Sequence, residues 1–223
     1  MGNKSSTRAL RLGISQQFDA DWYADPRNFA KTLQEDMAIR TYIDKTLKQA
    51  GVGRVVISRF RDCVELKITC LKPSVVVGRK GSEIETIAKA LGKMLGKEVR
   101  LKVFDIKKPE INATCVAKDV AYELQKKGVS CRRVIKRFVQ NARRTGALGA
   151  RIECSGRLGG VEIARREWYQ EGAVPRQKLR ADIDYAEQAS YSSWGLSGVK
   201  VWIYKGDVVE KPKALEQGRE ENA

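Results

Sequence analysis

The residues best placed by type and spacing to hold a ligand are Gly78-Arg79-Lys80-Gly81. Glycines let a backbone approach a ligand with no Cβ in the way. The two cations between them add positive charge. Helical periodicity follows from Ser82 to Leu95 (Ile84, Ile87, Ala88, Leu91, Leu95), so the loop opens onto a helix N-terminus, whose amides attract anions. Ser82 is the expected cap, with Glu83 and Glu85 suited to the first turn. The chemistry is phosphate clamping, with no bond made or broken.

A second constellation lies further along. Between Glu123 and Glu153 the chain has nine bases and no acid: Lys126, Lys127, Arg132, Arg133, Lys136, Arg137, Arg143, Arg144 and Arg151. The helix expected over 130–145 puts Val134, Ile135, Phe138, Val139 and Ala142 on one stripe. Arg133, Lys136, Arg137 and Arg144 lie elsewhere on the cylinder. Like charges at this spacing repel. A solvated helix face normally carries acids to offset its bases, so this face reads as a phosphate-binding surface.

Other chemistries have little support. The chain has no histidine, the commonest general acid or base and the commonest metal ligand. Cys63, Cys70, Cys115, Cys131 and Cys154 are spread widely with no C-x-x-C, which favours small buried hydrophobes over a zinc site or disulfide framework. No apolar run approaches the roughly 20 residues of a spanning helix, and residues 1–12 lack the apolar core of a signal peptide. The expected compartment is the cytoplasm. The 43 Lys and Arg against 27 Asp and Glu, a net charge of +16 over 223 residues, call for a polyanionic partner.

These residues need elements to position them. Residues 1–17 read as an extended basic arm. A helix is expected over 26–50 (Phe29, Leu33, Met37, Tyr42, Ile43, Leu47), then a strand over 54–60. Val64, Leu66, Ile68 and Cys70 alternate with polar residues in a half-buried strand. A short turn at 74–77, the glycine loop, the helix and a strand at 99–103 complete residues 18–106. The order αββααβ resembles the type II form of the KH fold, which grips about four nucleotides with a G-x-x-G loop. Lys107-Lys108-Pro109 is the expected linker. A second α+β domain follows over 107–206, two helices (110–127 and 130–145) packed on a mostly antiparallel sheet. Its strands are expected at 150–154, 161–169, 179–186 and 199–204. Residues 207–223 are charged and without aromatics, a disordered tail. Trp168, Tyr169, Trp202 and Tyr204 read as core or protein-contact residues rather than stacking platforms.

At larger scale the chain resembles the family of the third protein of the small ribosomal subunit, in its bacterial form. The resemblance rests on R-L-G at 11–13, V-V-V-G-R-K-G at 75–81, R-R-V-I-K-R at 132–137, V-Q-N-A-R at 139–143, S-G-R-L-G-G-V-E-I-A-R at 155–165, E-W-Y at 167–169, L-R-A-D-I-D-Y at 179–185 and G-V-K-V-W-I-Y-K-G at 198–206. It implies a structural constituent of the subunit head, bound to ribosomal RNA and to neighbouring ribosomal proteins. It implies too that Arg132, Arg133, Lys136 and Arg137 touch messenger RNA where it enters its channel, helping to unwind it. Lys4, Arg8, Arg11, Arg143, Arg144, Arg157, Arg165 and Arg180 are further expected contacts to ribosomal RNA. The start departs from the family pattern, lacking its proline and histidine. No enzyme activity, cofactor, metal, membrane or small-molecule substrate is expected, and the ribosome is a cytoplasmic one unless an organelle's. A free-standing KH regulator of selected messages is the alternative; it leaves the second domain and the arm without a role. A lyase using a lysine Schiff base would need a lysine of depressed pKa, which the sequence does not reveal.

Overall fold

The computed structural model describes residues 5–47, 50–61, 63–78, 81–126 and 128–208. The first half runs β1 (Ala20–Asp21), α1 (Pro26–Thr46), β2 (Val52–Arg59), β3 (Cys63–Cys70), α2 (Pro73–Val77), α3 (Ser82–Leu95) and β4 (Glu98–Asp105). Its four strands lie side by side in the order β1-β2-β3-β4. β2 and β3 are antiparallel, and β4 is parallel to β3. A parallel neighbour needs a crossover, and α2, the glycine loop and α3 supply it. The alternation read from the sequence is met: Val64, Leu66, Ile68 and Cys70 are all fully buried, under Ile39, Ile43, Ile87 and Leu91 from the helices. Each large apolar side chain so buried contributes roughly 1.5–3 kcal/mol. β1 had no counterpart in the sequence reading, being two residues with an exposed pattern.

The second half runs α4 (Ala113–Gln125), α5 (Cys131–Arg144), β5 (Gly149–Gly156), β6 (Arg165–Gly172), β7 (Ala181–Ser192) and β8 (Gly195–Asp207). Its sheet has the order β6-β5-β8-β7, with every neighbouring pair antiparallel. Both helices lie on one face, burying Val116, Val120, Val134, Ile135 and Val139 against Ile152, Cys154, Val199, Val201 and Ile203. The chain is therefore α+β in both halves, a KH-type fold followed by two helices on an antiparallel sheet. All five cysteines are free, and four of them are buried.

Several boundaries differ, for physical reasons. Gly81 occupies the N-cap position of α3, and Ser82, the expected cap, is already helical. α4 starts at Ala113, because Asn112 accepts hydrogen bonds from the amides of Thr114 and Cys115. β6 begins at Arg165 rather than 161, because a 3-10 turn at Leu158–Gly160 carries the chain away from the sheet. β7 and β8 are longer than expected and form one hairpin from Ala181 to Asp207. The stretch 187–192 shows no clean alternation, because β7 is an edge strand; even so, Ser190 is buried and donates to the Ala121 carbonyl at 2.8 Å. Asp207 thus ends a strand; the tail expected beyond it lies, from 209, outside the described residues.

The extended arm is the main correction. Residues 9–11 form a 3-10 turn packed against the second half, with Arg11 fully buried. Arg8 pairs with Asp19, which also holds Arg54 of β2 at 2.5 Å. The arm therefore straps across both halves. The halves also touch through α4: Lys118 donates to the Val52 carbonyl at 2.9 Å and lies 3.5 Å from Asp44.

Candidate nucleic-acid interface

Gly78 and Gly81, the two glycines of the loop, are described. Pro73 starts α2, and Gly78 leaves it with φ +68°, a region where a Cβ is strained. A Cβ there would also lie 2.3 Å from the Glu83 Cγ. Gly81 turns the chain into α3 with φ +83°. The first-turn amides of a 14-residue helix thus follow the loop directly. A depression of about 450 Å³ opens beside it, lined by residues that include Ser74, Val75, Gly78, Glu83 and Ile87. Arg79 and Lys80, the two cations of the clamp, lie outside the described residues, as does Lys4.

α5 separates its faces cleanly. Val134, Ile135, Val139 and Ala142 are buried, whereas Arg132, Arg133, Lys136 and Arg137 are exposed. Among the described residues Arg137 alone of these four is ion-paired, with Glu123 of α4, and its guanidinium lies 5.0 Å from the Phe138 ring. The row thus holds three uncommitted cations and one partly committed. Glu123 offsets one of the four cations, and the surface keeps a net positive field.

The remaining expected contacts divide. Arg144, Arg165 and Arg180 are exposed and open to a phosphate. Arg143 donates to the Ala147 carbonyl at 2.7 Å, and Arg157 to the Val161 and Trp194 carbonyls at 3.0 and 3.2 Å, so both also shape loops. Arg11 is corrected outright. Its Nε donates to Ala181 at 2.7 Å, Nη1 to Thr7 at 2.7 Å, and Nη2 to Lys178 and Arg176 at 2.6 and 3.0 Å, all to carbonyls. With its donors spent inside the protein it cannot reach RNA. Burial lowers its pKa from the ordinary guanidinium value, and Asp182 works the other way.

One feature of this surface escaped the sequence reading. The Arg151 guanidinium stands 4.2 Å from the Trp168 ring and 5.9 Å from that of Trp202. Trp202 is core, as expected, but Trp168 is 56% exposed. The signal was present: in a strand, an inward Tyr169 forces Trp168 outward. Beneath them, burial disfavours the Glu153 carboxylate, but hydrogen bonds from Arg166 and Arg151 outweigh it and hold its pKa below the usual range.

A glycine loop opening onto a helix, a cationic helix face and an antiparallel sheet beneath it are the features of an RNA-binding protein of the KH class. A family model described as "KH domain" matches residues 38–111, and one described as "Ribosomal protein S3, C-terminal domain" matches 120–203. Small ribosomal subunit protein uS3 of Parvibaculum lavamentivorans is 47% identical over 218 residues, covering 97% of this chain and 92% of the relative. The same protein of Desulforamulus reducens is 46% identical over 219 residues, 98% of this chain and 99% of its own, and that of Ruegeria pomeroyi 45% identical over 222 residues, 99% and 94%. The chain belongs to the uS3 family of small-subunit ribosomal proteins. It is a structural constituent of the ribosome rather than an enzyme, and it binds RNA.

Proposed function

We propose that this protein binds ribosomal RNA in the head of the small subunit and lines the opening through which messenger RNA enters. There the outer face of α5 tracks the incoming strand and helps unwind it. The observation that carries this is the exposure of Arg132, Arg133, Lys136 and Arg137 on a helix whose apolar side is fully occupied by core packing. A fixed row of cations holds the flexible phosphates of a single strand and slows re-pairing, while translocation supplies the work. No catalytic group is needed, and base sequence has little influence.

In this reading Gly78, Arg79, Lys80 and Gly81 grip ribosomal RNA through its backbone, with Arg144, Arg165 and Arg180 adding contacts. Neighbouring ribosomal proteins complete the site, and the compartment is the cytoplasm. The domain division belongs to the same proposal: an arm to residue 17, a KH domain to 106, a second domain to 206 and a tail. The test is cross-linking. Ribosomes stalled on a message with photoreactive uridines downstream of the decoding site should form cross-links to residues 132–137. Absence of such cross-links at every downstream position would contradict the placement.

A further inference from the structure

We propose that Trp168 is a stacking platform for one nucleobase, with Arg166 holding the phosphate of the same nucleotide. It goes beyond the α5 track, adding a base contact on the opposite sheet face to a protein otherwise read as blind to sequence.

Trp168 lies on β6, at the edge of the second sheet, and faces away from the helices. It ends a ladder of alternating rings and cations: Arg176 stands 5.5 Å from the Trp202 ring, and Arg151 lies between Trp202 and Trp168. Arg151 is itself fixed, donating to Gln170 and Glu153 at 3.3 Å each. The Trp168 ring is therefore pinned on one side by a held guanidinium, yet more than half of the residue is open to solvent. A pinned ring loses little entropy when a planar group stacks on it, and every nucleobase has such a face.

The surroundings select the ligand. Arg166 lies two residues from Trp168 on β6 and so shares its outward face of the sheet. Arg166 keeps donors free, since its side chain is half exposed although it pairs with Glu153 at 2.5 Å. Arg151 and Arg166 beside the ring repel a cationic side chain from a partner protein and attract a phosphate.

The experiment measures binding of the purified full-length protein to fluorescently labelled oligoadenylate, and to a ribose-phosphate oligomer of equal length without bases, across a salt titration. Trp168→Ala should weaken oligoadenylate binding about tenfold with the salt slope unchanged, because no charge is removed. It should leave the base-free oligomer unaffected, and Trp168→Phe should bind nearly as the parent does. Unchanged affinity for oligoadenylate would overturn the proposal. So would equal losses on both oligomers, which would mark the ring as a support of the fold. Replacing Arg132, Arg133 and Lys136 with Ala should lower the salt slope on both oligomers. If that holds while Trp168→Ala is silent, the stacking site alone falls; if the triple variant is silent, the phosphate track falls.

Discussion

The Arg11 Nε donates a 2.7 Å hydrogen bond to the carbonyl of Ala181, a residue 170 positions away at the start of β7. This contact turns a basic stretch that reads as an RNA-seeking arm into a structural strap. Arg11→Met removes all the guanidinium donors and leaves several buried carbonyls unsatisfied, each loss costing on the order of 1–3 kcal/mol. The variant should lose about 3 kcal/mol or more by urea denaturation, while the salt slope of RNA binding stays as in the parent. A lower salt slope with unchanged stability would return Arg11 to the RNA-binding set.

The clamp loop makes the opposite prediction. Arg79→Asp with Lys80→Asp reverses charge at a position built by two left-handed glycines. Affinity of the full chain for single-stranded RNA should fall by tenfold or more at moderate salt, with the thermal midpoint unchanged. The loss should shrink as salt rises and screens the charges. Equal affinity at every salt concentration would remove the clamp.

Glu153 gives a pH signature. Its carboxylate sits below its ordinary pKa when folded, so the stability it provides is complete above the unfolded carboxylate pKa and is lost as pH falls through the folded one. Glu153→Gln should cost roughly 1–3 kcal/mol at pH 7, by loss of charge-assisted hydrogen bonds to Arg166 and Arg151. The gap from the parent should narrow in acid, below about pH 4. A gap independent of pH would mean that packing, not charge, accounts for the loss.

β3 and α3 of the first half were legible because one face of each is apolar, whereas the stripe expected on α1 fails at Phe29, Leu33 and Met37, which are exposed. Leu66 and Ile68 alternate without interruption, and Ile87 and Leu91 recur at helical spacing, so local pattern and tertiary burial agree. The cationic face of α5 was legible for the same reason, since its apolar stripe fixes what must point outward. Arg11 was not legible. A buried guanidinium satisfied by carbonyls from residues 176–181 depends on a contact made only after folding, and local sequence reports only its charge. Trp168 was legible in part: alternation with Tyr169 turns it away from the helices, but its exposure depends on which strand occupies the sheet edge. The end of β7 escaped because an edge strand of mixed polarity has no strict period, and with it the start of β8, which pairs there with β7 alone.

The central claim is that the outer face of α5 acts on messenger and not on the fold. Replacing Arg132, Arg133 and Lys136 with Ala removes three exposed cations from a helix whose buried side is untouched. Ala has the better helix propensity and like-charge repulsion falls, so stability should hold or rise slightly. The salt slope for single-stranded RNA should fall by about 2, and ribosomes carrying the variant should still assemble. The most direct measurement is their elongation rate on two messages, one unstructured and one with a stable hairpin just ahead of the channel. Normal translation of the first with slowing at the hairpin is the predicted result. Equal slowing on both would contradict the strand-separating role and reduce α5 to a part of subunit assembly.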